Sequence, residues 1–255
     1  MSNLVPSDRM GHEPSILCSS IHNFSILQQS MTSDNQERFI ESYWSRMESA
    51  ITKQGGQLET FPGETLLARF DGGADKAVRA GIMMLRELNA YNRTRQTHNR
   101  LPIQIGIGID TLAADKQRSQ TQVKVRSRDR AASIATWLEQ ETRRYSASLL
   151  ISHHAFWHLE DAANLALRLI DRVALPDKAE CISIFEIFEC DPRRLRDGKL
   201  ATKQLFEQAI LLYHLGKFDA AIDQLSNCLR RNQGDPLITI YLQRAQTAQL
   251  EARLR

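Results

Sequence analysis

Apolar positions along the chain switch between two periods. Residues 15–21 (Ser-Ile-Leu-Cys-Ser-Ser-Ile) form an apolar run of strand length and predict a buried strand. After a loop, Phe39, Tyr43, Trp44, Met47, Ala50 and Ile51 recur at three- and four-residue spacing, which predicts an amphipathic helix that stops at Gly55. Residues 55–70 then read as two strands folded back on each other. Pro62 sets φ for the first central position of a tight turn, and Gly63 supplies the positive φ of the second. Glu64 follows directly and sits at the hairpin tip.

A second helix is expected over 74–96, with Ala77, Val78, Ile82, Leu85 and Leu88 on one side, and Pro102 announces a strand over 103–109. That strand, Ile-Gln-Ile-Gly-Ile-Gly-Ile, alternates β-branched with small residues, so its glycines imply a backbone or large side chain packed closely on one face. A third helix is expected from about 129 to 144. A strand at 149–151, a short helix through Trp157 and strands near 165–173 and 181–188 follow. The order β α β β α β, extended by further strands, is that of a ferredoxin-like α+β sheet with two helices on one face of antiparallel strands.

Asp191-Pro192 breaks this pattern, and beyond a basic linker at 193–196 the sequence turns wholly helical. Leu205, Ala209, Leu212, Gly216, Phe218, Ala221, Leu225 and Cys228 fall at the spacings of one tetratricopeptide-like helix pair, with Pro236 opening a third helix. One such repeat cannot bury its own face, so the segment is expected to dock on the sheet, on a second copy or on a partner. The expected organisation is a mobile arm over 1–14, a sheet domain over 15–190 and a small all-α extension over 199–255.

Composition narrows the setting. Of 255 residues, 42% are hydrophobic, enough for a substantial core. No apolar run reaches the roughly 18 residues that would span a bilayer, and the first 14 residues lack the centre of a secretory signal. A cytoplasmic protein without membrane association is therefore expected. Cys18, Cys181, Cys190 and Cys228 show no metal or disulfide spacing and are expected to be buried, reduced thiols. The net charge of +3 does not by itself argue for nucleic acid. Between Asp115 and Arg130, however, six basic residues meet two acidic ones, which gives +4 there and −1 elsewhere. Such a cluster suits the phosphates of a nucleotide bound without turnover, of another phosphorylated ligand, or of nucleic acid. No interleaved aromatics provide base stacking, and a solvated loop or a surface for an acidic partner is the plainer reading. His153, His154 and His158 include an i, i+4 pair, yet only Glu160 offers a further ligand nearby, so a surface or packing role is expected. Trp44 and Trp157 are expected in the core.

The order of elements and the wording of the hairpin resemble the catalytic domain of class III adenylate and guanylate cyclases over about residues 14–190. Residues 16–24, 55–70, 103–111 and 131–139, followed by 149–152, carry the likeness. The helical tail is similar to the tetratricopeptide-type extensions of some bacterial cyclases. The resemblance implies two carboxylates, one on the first strand and one at the hairpin tip, that hold two divalent metals, Mg2+ or Mn2+, on a nucleoside triphosphate. Hard cations want anionic oxygens, and two metals can stabilise both the attacking 3′-oxygen and the departing pyrophosphate.

On this alignment the hairpin carboxylate falls on Glu64, the candidate metal ligand, and the first-strand carboxylate falls on Ser20, a neutral hydroxyl. The purine-selecting lysine aligns with Thr60, its polar partner on a later strand with Arg126, the ribose-orienting asparagine with Ser133, and the phosphate-stabilising arginine with Trp137. Losing one such group commonly costs about two orders of magnitude in rate or more, so efficient cyclisation through these positions is not expected even when the losses are not additive. No catalytic residue is therefore assigned. The expected function is a catalytically impaired cyclase-like domain, a pseudoenzyme that serves as a signalling or scaffolding module and pairs as a homodimer or hetero-oligomer. The alternative is an active adenylate or guanylate cyclase that works with Mg2+ or Mn2+, either by itself or only as one half of a heterodimer with an intact cyclase. A diguanylate cyclase tip is not supplied by Pro62-Gly63-Glu64-Thr65.

Overall fold

The computed structural model describes residues 13–60, 65–112, 120–175 and 181–254, with the backbone alone for residues 34, 60 and 120–127. The strands are β1 (Ser15–Ile21), β2 (Gln57–Thr60), β3 (Thr65–Phe70), β4 (Ile105–Thr111), β5 (Leu149–Ser152), β6 (Leu167–Ala174) and β7 (Cys181–Ile187). They form one sheet in the order β2-β3-β1-β4-β5-β7-β6. Its first four strands pair antiparallel as a ferredoxin-like unit. β5 adds parallel to β4, and the β6–β7 hairpin closes that edge through an antiparallel β5–β7 pair.

Strand alternation divides the two faces. Leu17, Ile21, Phe70, Ile107, Ile109, Leu149 and Ile151 pack with α2 (Ser33–Thr52) and α3 (Ala74–Thr97), the two helices expected on one face. Ile16 and Cys18 face the other way, towards α4 (Gln120–Tyr145). The glycines of β4 lie under α4, as their spacing implied. A Cβ on Gly108 would run into the Ala135 carbonyl and the Glu139 backbone, and one on Gly106 into His22, Thr142 and Glu139.

Several expectations change. The loop after β1 contains α1 (Phe24–Gln29), whose one buried side chain, Leu27, is too little for a periodic signal. α4 starts nine residues before the expected 129, a stretch whose polar sequence carries no apolar stripe to signal a helix, and Arg126 therefore lies on a helix and not on a strand. Residues 193–196 are no linker but the first turn of α6 (Arg193–His214). Trp157 ends the five-residue helix α5 (His153–Trp157), whose buried residue is Ala155, and is 75% exposed with its ring against His153. Trp44 is half-buried against Tyr43. All four cysteines are free, but Cys181 is exposed and Cys190 half-buried. Residues 1–12 of the expected arm lie outside the described residues.

The extension, α6, α7 (Phe218–Arg231) and α8 (Pro236–Arg253), docks on the sheet of its own chain. Phe206, Ala209, Ile238 and Tyr241 share a core with Leu150, Ile170, Ile182 and Ile184. Charge seals the seam. Arg168 of β6, fully buried, donates from Nε to Glu186 at 2.7 Å and from Nη2 to Asp235, the N-cap of α8, at 3.0 Å, with a second bond from Nη1 to the same carboxylate. Lys199 of α6 reaches Glu186 and Asp191, each at 2.6 Å. Burial works against the charge on Arg168, but its two carboxylates outweigh it and keep the guanidinium protonated. Beside it, Asp171 accepts from the Tyr145 hydroxyl at 2.5 Å, with His214 Nε2 at 2.9 Å and Arg244 Nη1 at 3.3 Å. Burial raises its pKa, but bonds led by His214 and Tyr145 prevail and hold it at about 2.

Candidate functional site

Ser20 lies on the α4 side of β1, in step with Ile16 and Cys18, where the resemblance asks for a carboxylate. Its hydroxyl donates to Glu139 Oε1 of α4 at 2.6 Å. His22 Nε2 stands 3.3 Å from the same oxygen. Thr142 Oγ1 lies 3.1 Å from that imidazole nitrogen and donates to the Glu139 backbone carbonyl. Ser20, Glu139 and Thr142 are buried. The glycines at 106 and 108 allow this closure, because α4 can approach β4 closely enough to bring Glu139 over β1.

The cluster closes on itself. A divalent cation of the magnesium class wants several anionic oxygens, whereas this position offers one carboxylate, whose Oε1 is already taken by Ser20 and His22. Among the described residues no group of three or more His, Cys, Asp or Glu side chains is placed to hold a metal ion. The residues described at this position do not fit the two-metal centre that the resemblance implies. Glu64, the candidate ligand at the hairpin tip, lies outside the described residues. Cys18, two residues before Ser20, offers no nucleophile, since burial pushes its thiol up to about 11.

The other aligned positions have structural roles where they are described. Ser133 Oγ turns back to the Asp129 carbonyl at 2.7 Å, within its own helix. Trp137 packs against the core shared by α4, the sheet and the extension. The side chains of Thr60 and Arg126 lie outside the described residues. So does most of the basic cluster: residues 113–119 and the side chains of 120–127. At its end Arg128, half-exposed, pairs with Glu59 of β2 at 2.7 Å and ties the hairpin to α4.

A second polar cluster stands at the far end of β4. Asp110, fully buried, accepts from Ser152 Oγ and lies 3.1 Å from His154 Nδ1. Ser152 in turn caps α5 by accepting from the Ala155 amide at 3.1 Å. The three histidines have different partners: His154 meets Asp110, His158 Nδ1 donates to the His154 carbonyl at 2.7 Å, and His153 Nδ1 accepts from the Ser183 amide at 3.3 Å. The sequence signal for Asp110 was a lone acid closing an apolar strand. Sequence reasoning passed over it because nothing local names its partners.

No protein-family model matches the chain. Over 250 residues, 96% of the chain, it is 22% identical to the "Adenylate cyclase, terminal-differentiation specific" of Dictyostelium discoideum, of which it covers 12%. Over 180 residues, 68% of the chain, it is 29% identical to an adenylate cyclase of Anabaena cylindrica, of which it covers 36%. Among solved structures, the adenylyl cyclase CyaB from P. aeruginosa superposes with a TM-score of 0.54 at 20% identity, covering 71% of this chain and 95% of that one. The fold is that of a nucleotide cyclase domain. The chain spans far less than half the length of these two curated relatives. The Dictyostelium match covers enough of the chain to take in the helical extension as well as the sheet. No helix among the described residues is long and apolar enough to cross a membrane.

Proposed function

We propose that this cyclase-like domain does not cyclise nucleotides alone and serves as a regulatory or scaffolding module in cyclic-nucleotide signalling, pairing with a second copy or with another signalling protein. The bond from Ser20 to Glu139 carries this reading. It commits the first-strand position to a closed, buried cluster in which a neutral hydroxyl stands in for a metal-binding carboxylate. Trp137 supports it further, since an indole packed in the core supplies no cation to a developing phosphate charge. The extension, read as one tetratricopeptide-like pair with a third helix, acts here as a brace. The test is production of cAMP or cGMP by the purified chain with Mn2+ and ATP or GTP. No product above the background of the nucleotide alone is expected, and product that disappears in Glu64→Ala would overturn the reading.

A second reading rests on the names of the relatives and on the small share of their length that the chain spans. As one half of a heterodimer, the domain would complete a site in which an intact partner supplies the metal-binding carboxylates and the Mg2+ or Mn2+ they hold. Mixing it with an intact class III cyclase should then raise the partner's rate. An unchanged rate across a tenfold excess, about the range in which a moderate affinity would show, favours the first reading.

A further inference from the structure

On the sheet face opposite α4, a groove of about 490 Å3 opens between the start of α2 and the end of α3. Its lining includes Arg38, Arg95 and Arg100, the rings of Phe39 and Tyr91, and the amides Asn35 and Asn99, with no carboxylate among the described lining residues. Arg95 is the unusual member. It is 4% exposed, which is rare for an arginine without an acid partner. Its Nε donates to the Leu101 carbonyl at 2.7 Å, and its guanidinium lies 5.2 Å from the centre of the Phe39 ring and 5.8 Å from that of Tyr91. Among the described residues no carboxylate pairs with it, and its Nη atoms make no hydrogen bond. Arg38 and Arg100 stand exposed at the rim. The first turn of α2 borders the groove, and its N-cap, Thr32, makes no side-chain cap.

We infer that this groove binds a small phosphorylated metabolite, its phosphate held by Arg95 at the floor and by Arg38 and Arg100 at the rim. A buried guanidinium flanked by two rings carries a desolvation cost that an entering anion offsets. Planar guanidinium forks match the several oxygens of a phosphate better than a single carboxylate does, and the backbone amides at the start of a helix add to the same preference. A concave site of this volume, with one cation at its floor, suits a small molecule and not a flat acidic surface. The site lies across the sheet from the Ser20 cluster, so it stands or falls independently of the cyclase reading.

Calorimetry on the full chain with pyrophosphate and with AMP, at low and at moderate salt, tests it. Saturable binding that weakens with salt is expected. The exposed pair Arg38→Ala/Arg100→Ala should lose about tenfold or more in affinity without loss of fold, and Arg95→Met more still. Three results would overturn the inference: no saturation by about 10 mM of either probe at low salt, affinity unchanged in the Arg38→Ala/Arg100→Ala variant, or binding of an acidic peptide that pyrophosphate does not displace.

Discussion

Two buried polar clusters sit on the same face of one sheet and use charge in opposite ways. Under the extension, two cations, Arg168 and Lys199, meet three carboxylates, Glu186, Asp191 and Asp235, drawn from strands, a helix and the segments that join them. Under α4, a single carboxylate, Glu139, is surrounded by the hydroxyls of Ser20 and Thr142 and the imidazole of His22. The first cluster joins elements distant in sequence, and each of its charges depends on the others. The second is closed around one acid by the Ser20 hydroxyl and the His22 imidazole, with Thr142 on the backbone carbonyl of the same residue. A buried pair is costly to break because the survivor stays buried without its partner. A hydroxyl bonded to a carboxylate leaves less behind when it goes. The seam therefore has the greater structural consequence, although it is the α4 cluster that occupies the position where the resemblance expects chemistry.

The sharpest way to break this comparison is Arg168→Met. It leaves Glu186 and Asp235 buried and unbalanced, and a loss of about 3–5 kcal/mol is expected in urea unfolding. A loss below that of Ser20→Ala would reverse the ranking of the two clusters.

Acid titration sharpens the same contrast. The Asp171 pKa of about 2 lies below the ordinary 3.8, so its contribution is present above about pH 4 and fades as pH falls towards 2. The depression corresponds to about 2 kcal/mol. Asp171→Asn should flatten stability across that window, and a pH profile that keeps its slope in the variant would assign the acid sensitivity elsewhere. The smallest effect is expected from Ser20→Ala. It removes one bond to Glu139 but keeps His22 and Thr142 in place, and should cost about 1–2 kcal/mol. A cost as large as that of Arg168→Met would show that the α4 cluster is as tightly coupled as the seam.

Local pattern determined a large part of this protein. Strand and helix periods, the β4 glycines and the helical tail are all written in residues a few positions apart, so the ferredoxin-like order and the cyclase resemblance were legible in the sequence. Short or featureless stretches were not: α1 buries one side chain, the start of α4 has no apolar stripe, and Trp157 closes a helix too short to show which side faces inward. Only the tertiary structure decided which polar residues are buried together. Ser20 meets Glu139 across 119 residues and Arg168 meets Asp235 across 67, and no spacing rule connects such positions. An arginine in the sequence reads the same whether it is solvated like Arg100, locked in a seam like Arg168, or held at the floor of a groove like Arg95. Its burial depends on which distant elements pack around it, and that is a property of the folded chain and not of any local run of residues.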